Sequence, residues 1–352
     1  MRYLTFGRRT GLRVSEYALG TAVFGTRWGY GAKPDQARKI FERFAEAGGT
    51  FVDTANAYQF GEAEEILGSL LGSERDSFVL GTKYSIGTNP QVGIYGTGNS
   101  RKTMTRTVEA SLRRLRTDHV DLLWVHFPDQ VTPTEEIMRG LDDLVRAGKI
   151  LHGGLSNFPA WRAARAATLA DLNGWSPLVG VQFEYSLVER TADREILPMA
   201  DALGLGAALW SPLGGGVLTG KYRGSREGRL SAGRRVRTEE TSLRVATVEA
   251  VLAMADEVDA TPAQVATNWL RARGAHSSTA YVPIIGPRTL AQLEEYLAGL
   301  DVTLTPEQVD RLTRASAIPL GEPYEEYDKY RSALLGGDDV ARGFVAPIVP
   351  VA

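Results

Sequence analysis

The chain has 352 residues, of which 43% are hydrophobic and 23% are charged, so it can bury a large core. Its formal net charge of −2 gives no basic bias toward nucleic acid or an anionic membrane, and the lack of cysteine excludes disulfides, thiolate metal sites and cysteine nucleophiles. The first twenty residues do not resemble a signal peptide, and no apolar run is long enough to span a bilayer. We therefore expect a cytoplasmic protein without nucleic-acid or membrane partners.

Strand and helix patterns alternate along the chain. A β-hairpin is predicted over 1–14, and eight short apolar runs then predict strands over 16–21, 51–53, 78–83, 120–126, 150–155, 178–182, 205–210 and 281–285. Helical spacing is found over 34–47, 61–71, 101–115, 133–147, 159–170, 192–203, 245–258, 262–272 and 289–300. Strands without strict alternation are typical of parallel sheets that are buried on both faces.

Eight strand–helix units favour one α/β domain over 1–352, a (β/α)₈ TIM barrel with an N-terminal β-hairpin and extra helices. The alternative is a doubly wound open sheet. No Gly-x-Gly-x-x-Gly follows any of the strands, which weakens that alternative.

Ionisable side chains stand where successive strands end. Asp53, Lys83 and His126 end three consecutive strands, and Tyr58 follows the first of them by five positions. Taken alone, Asp53 could cap a helix and Tyr58 could lie in a surface loop, but in a barrel all four would converge on the catalytic face.

These four residue types suit carbonyl reduction or its reverse. A tyrosine with a pKa of about 10 is a weak acid–base group at neutral pH, and a nearby lysine lowers that pKa. An aspartate keeps the lysine charged, and a histidine can hydrogen-bond the substrate oxygen. The four histidines lack ligand spacing, so no metal is expected.

Polar and glycine-rich segments at later strand ends could hold a nicotinamide cofactor. Ser156, Asn157 and Gln182 suit a carboxamide, and Trp210 offers a flat face for stacking. The glycines of 214–220, followed by Lys221, could approach a pyrophosphate, although a plain flexible loop is the alternative.

The chain resembles the aldo-keto reductase superfamily over nearly its whole length. The resemblance is carried by Gly11–Ser15, Leu19–Thr21, Phe51–Ala55 with Tyr58, Thr82-Lys83, Ser111–Leu115 with Asp118, Asp121 and His126, Gly148–Ile150, Ser156–Phe158, Gln182, Trp210–Gly216, Leu218–Tyr222 and Ile285–Arg288. The run Gly98-Asn99-Ser100-Arg101-Lys102 is most similar to the aryl-alcohol-dehydrogenase-like branch.

The resemblance implies a (β/α)₈ barrel that uses NADPH/NADP⁺ and reduces a small-molecule carbonyl substrate. It implies a catalytic tetrad of Asp53, Tyr58, Lys83 and His126. In this tetrad Tyr58 donates the proton, Lys83 with Asp53 adjusts the pKa of Tyr58, and His126 orients the carbonyl. The implied cofactor residues are Gly20, Thr21, Ser156, Asn157, Gln182, Trp210, Ser211, Leu213, Gly215, Leu218, Lys221, Gly286, Arg288, Gln292 and Glu295. The family's asparagine at the adenine is replaced by Tyr296, so that contact becomes stacking or is lost.

Aromatic residues could line an apolar substrate pocket, although loop packing is an alternative for each: Phe24, Trp28, Tyr30 and Phe127. We expect the insertion 85–99 to lie over the catalytic face. The charged segment 223–240 is either a solvated loop or a lid over the cofactor phosphates. In the resembled family, the tail over 318–352 helps to shape the substrate pocket.

Two other function classes stay open. Relatives of this fold act as cofactor-binding regulatory subunits of membrane channels, or as sugar-nucleotide reductases. The sequence leaves the oligomeric state, the substrate and the physiological direction undecided.

Overall fold

The N-terminal hairpin precedes the main fold, as the sequence predicts. The structure, a computed structural model, describes residues 1–89, 91–223, 238–345 and 347–351. Strands β1 (Tyr3–Thr5) and β2 (Arg13–Ser15) pair antiparallel around a turn that contains Gly7. Phe6, between β1 and that turn, is fully buried, so the hairpin is anchored to the barrel that follows.

Eight parallel strands close into a barrel, which confirms the predicted (β/α)₈ fold. In chain order they are β3 (Ala18–Gly20), β4 (Phe51–Asp53), β5 (Val79–Tyr84), β6 (Val120–Val125), β7 (Ile150–Ser156), β8 (Leu178–Glu184), β9 (Gly206–Trp210) and β10 (Tyr281–Ile285). Each strand pairs with its neighbours in the sequence, and β10 closes the ring against β3. Almost every strand residue is buried, because the barrel interior lies on one face and the helices on the other.

Helices alternate with these strands and surround the barrel. They are α1 (Pro34–Glu46), α2 (Glu62–Leu71), α3 (Arg101–Leu115), α4 (Thr134–Arg146), α5 (Ala160–Asn173), α6 (Ile196–Leu203), α7 (Ser242–Glu257), α8 (Pro262–Ala275) and α9 (Leu290–Ala298). Three further helices follow, which the sequence reading missed: α10 (Pro306–Ala315), α11 (Tyr324–Leu334) and α12 (Asp338–Gly343). None of the helices in the described ranges is both long and apolar enough to cross a membrane.

The hairpin closes the amino end of the barrel by filling its interior. The ring of Phe6 packs edge-on against Phe51, at a centroid distance of 5.7 Å, and against Trp124 at 6.2 Å. A Cβ atom at Gly180 or Gly206 would lie 2.5 or 2.8 Å from the Phe6 ring, so both positions have to be glycine for this ring to fit. Phe6 fills the interior only at the amino end of the barrel, so side chains at the carboxyl ends of the strands are not covered by the hairpin.

Candidate active site

The four side chains predicted as a tetrad meet at the carboxyl end of the barrel. The ammonium of Lys83 on β5 donates to Asp53 Oδ2 on β4 at 2.5 Å and to the carbonyl of Thr54 at 2.7 Å. The Lys83 Nζ atom lies 4.8 Å from the centre of the Tyr58 ring. The ring of His126, directly after β6, lies 6.0 Å from that ring, edge to face. The structure therefore brings all four together.

The Lys83–Asp53 ion pair is sealed from solvent. Lys83 is fully buried and Asp53 is 2% exposed. Burial by itself would lower the pKa of Lys83, but the charge of Asp53 and the phenol oxygen of Tyr58 outweigh burial and raise that pKa. The second carboxylate oxygen of Asp53 accepts from the amide of Gln182 at 2.9 Å. A buried ion pair with its oxygens bonded in this way keeps the ammonium charged beside Tyr58.

The surroundings of His126 favour the neutral imidazole. Burial, and then the positive charge of Lys83, hold the pKa of His126 well below its ordinary value. Its Nδ1 atom is buried and has no hydrogen-bond partner among the described residues. A neutral ring carries one N–H donor, so His126 can donate a hydrogen bond to a substrate oxygen without carrying a charge.

Tyr58 is half-buried and lies at the start of a strained turn, Tyr58–Gly61. The two residues after it, Gln59 (φ 51°) and Phe60 (φ 56°), adopt left-handed backbone conformations without being glycine. Each such residue costs on the order of 1–3 kcal/mol and persists only where its surroundings enforce it. The sequence analysis did not single out Gln59, since a polar residue in a loop gives no signal of this geometry.

Aromatic rings lie beside the rings of Tyr58 and His126. The Trp28 ring lies 6.2 Å from the Tyr58 ring, 6.3 Å from Tyr30 and 6.3 Å from Phe60. Phe127 is 42% exposed, and its ring lies 5.0 Å from that of His126. Of the residues that the sequence predicts to line a pocket, Trp28 and Phe127 therefore adjoin the tetrad, and Tyr30 packs against Trp28.

Phe24 is the exception among the predicted pocket residues. Its side chain is fully buried in the hydrophobic core beneath the first loop. The ring therefore has no surface to offer a substrate, and this expectation is corrected. Loop packing, the alternative that the sequence left open, is what the structure shows at Phe24.

Three of the predicted nicotinamide residues, Ser156, Asn157 and Trp210, form one hydrogen-bonded group at the ends of β7 and β9. The Asn157 amide donates to the His126 carbonyl at 3.0 Å and to Ser156 Oγ at 2.9 Å, and it accepts from the indole N–H of Trp210 at 3.2 Å. Asn157 and Ser211 both have left-handed backbones, with φ values of 60° and 54°. Asn157 therefore ties the indole of Trp210 to the His126 segment.

At the first strand of the barrel, Gly20 and Thr21 are both buried. A Cβ atom at Gly20 would lie 2.7 Å from a methyl of Ile284, which explains the small residue. Thr21 donates through its main-chain N–H, at 2.9 Å, and through its hydroxyl, at 3.2 Å, to the carbonyl of Asp53. These bonds fix the end of β3 to the tetrad strand.

The glycine-rich loop after β9 is a set of tight turns. Gly214, Gly215 and Gly216 all have positive φ, and a Cβ atom at Gly216 would lie 2.7 Å from Lys221 Cε. Leu213 is half-buried, whereas the Leu218 side chain is fully buried in the core. The loop therefore presents mainly backbone and the Lys221 side chain.

Arg288 follows β10 together with Gly286. Its backbone N–H donates to Gln292 Oε1 at 2.8 Å, and its half-buried guanidinium forms no ion pair with any carboxylate in the described ranges, Glu295 included. Tyr296 is 8% exposed and packs edge-on against Tyr17 at 6.5 Å, inside the core. The ring that replaces the family's asparagine is therefore buried.

Three segments outside the barrel are candidates, from the sequence, to lie near the site: 85–99, 223–240 and the tail over 318–352. In the insertion 85–99, Ile94 is 80% exposed, and Asn99 is anchored by bonds to Phe127 O at 2.9 Å and Asp129 Oδ2 at 2.8 Å. The candidate lid at 223–240 falls largely outside the described residues, since 224–237 are not among them. The tail contacts the segment before α6, where Arg194 donates to the Pro319 carbonyl at 2.9 Å.

The chain is similar to known proteins over most of its length. A model of the aldo/keto reductase family matches residues 17–317. A norsolorinic acid reductase of Aspergillus flavus is 35% identical over 322 residues, covering 89% of this chain and 80% of that protein. The oxidoreductase YrpG of Bacillus subtilis is 37% identical over 336 residues, covering 93% and 99%. An NADP⁺ aryl-alcohol dehydrogenase of Phanerodontia chrysosporium is 35% identical over 338 residues, covering 89% and 86%.

The family match covers the eight barrel strands and all four tetrad positions. The relatives match over more than three quarters of their own length. The chain therefore belongs to the aldo/keto reductase family of oxidoreductases.

Proposed function

We propose that this protein reduces aldehydes or ketones to alcohols with NADPH, and that Tyr58 is the proton donor. One observation carries the proposal: a fully buried ammonium, Lys83, lies between the carboxylate of Asp53 and the ring of Tyr58. A phenol beside a fixed positive charge can release and regain a proton near neutral pH more readily than a phenol in water.

Carbonyl reduction builds negative charge on the carbonyl oxygen and, once Tyr58 has given up its proton, on the phenol oxygen. The chain's own groups can stabilise both charges. When bound, NADPH would supply the hydride that the carbonyl carbon accepts. Tyr58 delivers its proton to the carbonyl oxygen, and Lys83 stabilises the phenolate that remains. Asp53 keeps Lys83 protonated, while the neutral His126 donates its N–H to the same oxygen.

Several groups support NADPH as the cofactor. The Asn157–Trp210 group at the ends of β7 and β9 suits the nicotinamide, and the turns of Gly214–Gly216 with Lys221 suit the pyrophosphate. The guanidinium of Arg288, with no ion pair among the described residues, suits the 2′-phosphate that distinguishes NADPH from NADH.

The substrate that best fits the surroundings of Tyr58 is an aromatic or apolar carbonyl compound. The rings of Trp28 and Phe127 adjoin the tetrad, with Tyr30 beside Trp28, and flat apolar walls favour flat apolar ligands. The name of the relative from Phanerodontia chrysosporium, an aryl-alcohol dehydrogenase, points in the same direction.

The test is a turnover assay that follows NADPH absorbance with purified protein and a panel of carbonyl compounds. We expect benzaldehyde-type compounds to have a higher kcat/KM than polar sugars. A panel in which sugars win would contradict the aromatic preference and favour the sugar-nucleotide alternative. NADPH binding without turnover on any carbonyl would overturn the proposal and favour a regulatory cofactor-binding subunit.

A further inference from the structure

The side chain of Gln59 connects the Tyr58 turn to the first loop of the barrel. Gln59 is fully buried, and its amide makes three hydrogen bonds to that loop's backbone. Its Oε1 accepts from the Trp28 N–H at 2.8 Å, and its Nε2 donates to the carbonyls of Tyr30 at 3.0 Å and Ala22 at 3.3 Å. One side chain thus bridges the start, the middle and the end of the segment 22–30.

The bonding pattern requires an amide. One face of the site offers an N–H and the other offers two carbonyl oxygens, so the side chain has to accept once and donate twice. A glutamate of the same shape would place its carboxylate against two carbonyl oxygens. A glycine would relieve the left-handed backbone at this position but would remove all three hydrogen bonds.

A second side chain, directly after that turn, holds the same loop. Glu62, at the start of α2, accepts from the main-chain N–H groups of Thr26 at 2.7 Å and Arg27 at 2.9 Å. The first loop is therefore attached to the segment that carries Tyr58 at both sides of Trp28. The Trp28 ring then lies edge-on to the phenol ring, 6.2 Å away.

We propose that Gln59 is a positioning residue that holds Trp28 against Tyr58 and so builds the wall that selects planar aromatic carbonyl substrates. This inference rests on the proposed function, because it takes Tyr58 as the group that meets the substrate. Gln59 touches neither the substrate nor the reacting atoms. It acts through the backbone of Trp28, at the cost of a left-handed conformation at its own position.

Two variants of Gln59 and one matched control test this role. Gln59→Met keeps the volume and removes the amide, and Gln59→Gly keeps the backbone conformation accessible. Asn268 on α8 is the control, since its buried amide likewise accepts once, from Arg271, and donates to two carbonyls, those of Gln264 and Gly299. Asn268→Leu removes an equivalent set of bonds away from the first loop.

Two measurements are made on each variant. Hydrogen exchange of the backbone over 22–31 is expected to quicken at least about tenfold in both Gln59 variants and not in Asn268→Leu. For 2-naphthaldehyde we expect kcat/KM to fall about tenfold, mainly through KM, which corresponds to about 1.4 kcal/mol. For propanal, which is too small to need the Trp28 wall, the loss should stay below about threefold.

The outcomes separate the inference from the proposed function. Unchanged exchange over 22–31, or equal losses for the two aldehydes, would overturn the positioning role. A wild-type protein that reduces neither aldehyde would overturn the proposed function and the substrate wall together. The exchange measurement would still decide whether Gln59 holds the loop.

Discussion

The two ends of the barrel each contain a buried ion pair, and the two pairs have different neighbours. At the amino end, Arg75 bonds Asp121 at 2.7 Å and also donates to the carbonyls of Phe78 and His119. Asp121 accepts the N–H of Leu80 as well. At the carboxyl end, the Lys83–Asp53 pair adjoins the half-exposed phenol of Tyr58. A buried ion pair is by itself weak evidence of function. The groups next to it indicate whether the pair is structural or catalytic.

Backbone strain follows the same division. Non-glycine residues with left-handed or otherwise positive φ lie in the segments that follow strand ends: Gln59, Phe60, Ser85, Gln130, Asn157 and Ser211. The other two that the described ranges contain, Arg116 and Asp259, lie just after helices, where a left-handed residue is routine. Strain that no helix end explains is thus concentrated at the end of the barrel where the tetrad meets.

The largest effect should come from removing one hydroxyl at the carboxyl end. We expect Tyr58→Phe to lower kcat for carbonyl reduction by about 10²–10⁴-fold, because a general acid typically contributes that much. NADPH affinity should stay nearly unchanged. Steady-state kinetics and cofactor titration measure both.

A phenol at the other end provides the control. Tyr281, the first residue of β10, bonds Asp201 through its hydroxyl at 3.3 Å. Tyr281→Phe should leave kcat as it is. Tyr58→Phe could also keep the wild-type kcat while the chemical step limits the rate. That result would require another proton donor, and the two ends of the barrel would no longer differ in function.

The ion pair at the amino end should matter for stability and not for catalysis. Arg75→Met leaves Asp121 buried without its cation, and breaking a buried pair in this way costs about 3–5 kcal/mol. The expected result is a lower midpoint of urea unfolding, with kcat per folded molecule unchanged.

Lys83→Met is the matched change at the carboxyl end. It should also lower the midpoint, since Asp53 loses its cation, but it should lower kcat as well. If Arg75→Met reduced kcat in folded protein, or if both variants changed kcat equally, the two ends of the barrel would not differ in function as proposed.

Part of the site could be predicted because the runs 51–53, 78–83 and 120–126 are mostly apolar and stop at a polar residue, and a closed barrel brings those residues together. Asp53, Lys83 and His126 needed no more than that. Helix α10 was missed although its start has a recognisable signature: Thr305 and Gln308 form a capping box around Pro306, the same pattern as Thr261 and Gln264 at α8.

Side-chain direction could not be predicted from the sequence. Phe24 and Trp28 are both aromatic residues in one loop, yet Phe24 is fully buried and Trp28 contacts Tyr58. The choice depends on the loop's path, which Gln59 and Glu62 fix from another segment. Tyr296 was open to stacking on adenine, but its contact with Tyr17 places the ring in the core.

Arg288, also at the carboxyl end, should give an intermediate effect that is confined to one cofactor. A charge-assisted hydrogen bond contributes roughly 1.5–3 kcal/mol, so Arg288→Ala should weaken NADPH binding about ten- to hundredfold. NADH lacks the 2′-phosphate, so its Kd should barely change. Equal losses for both cofactors, or a wild type that does not discriminate between them, would exclude this role.

The smallest effect should come from two histidines, one toward each end of the barrel. Burial lowers the pKa of His126, with Lys83 adding to the effect, and burial also lowers the pKa of His152 on β7, against the opposing charge of Asp121. Below their unfolded pKa of about 6.5, the unfolded chain binds protons that the folded chain does not. The free energy of unfolding should therefore fall as the pH drops from 6.5 toward the folded pKa values.

His126 should account for most of that loss, because its pKa is lowered further than that of His152. The expected size is about 1 kcal/mol for His126 between pH 6.5 and 5.5. Carboxylates with lowered pKa, such as Glu16 and Asp142, lose their contribution only at lower pH, so this window isolates the histidines. Urea unfolding of His126→Gln and His152→Gln at both pH values gives the two shares. If His152→Gln removed more of the pH-dependent loss than His126→Gln, the histidine with the more strongly lowered pKa would lie away from the tetrad.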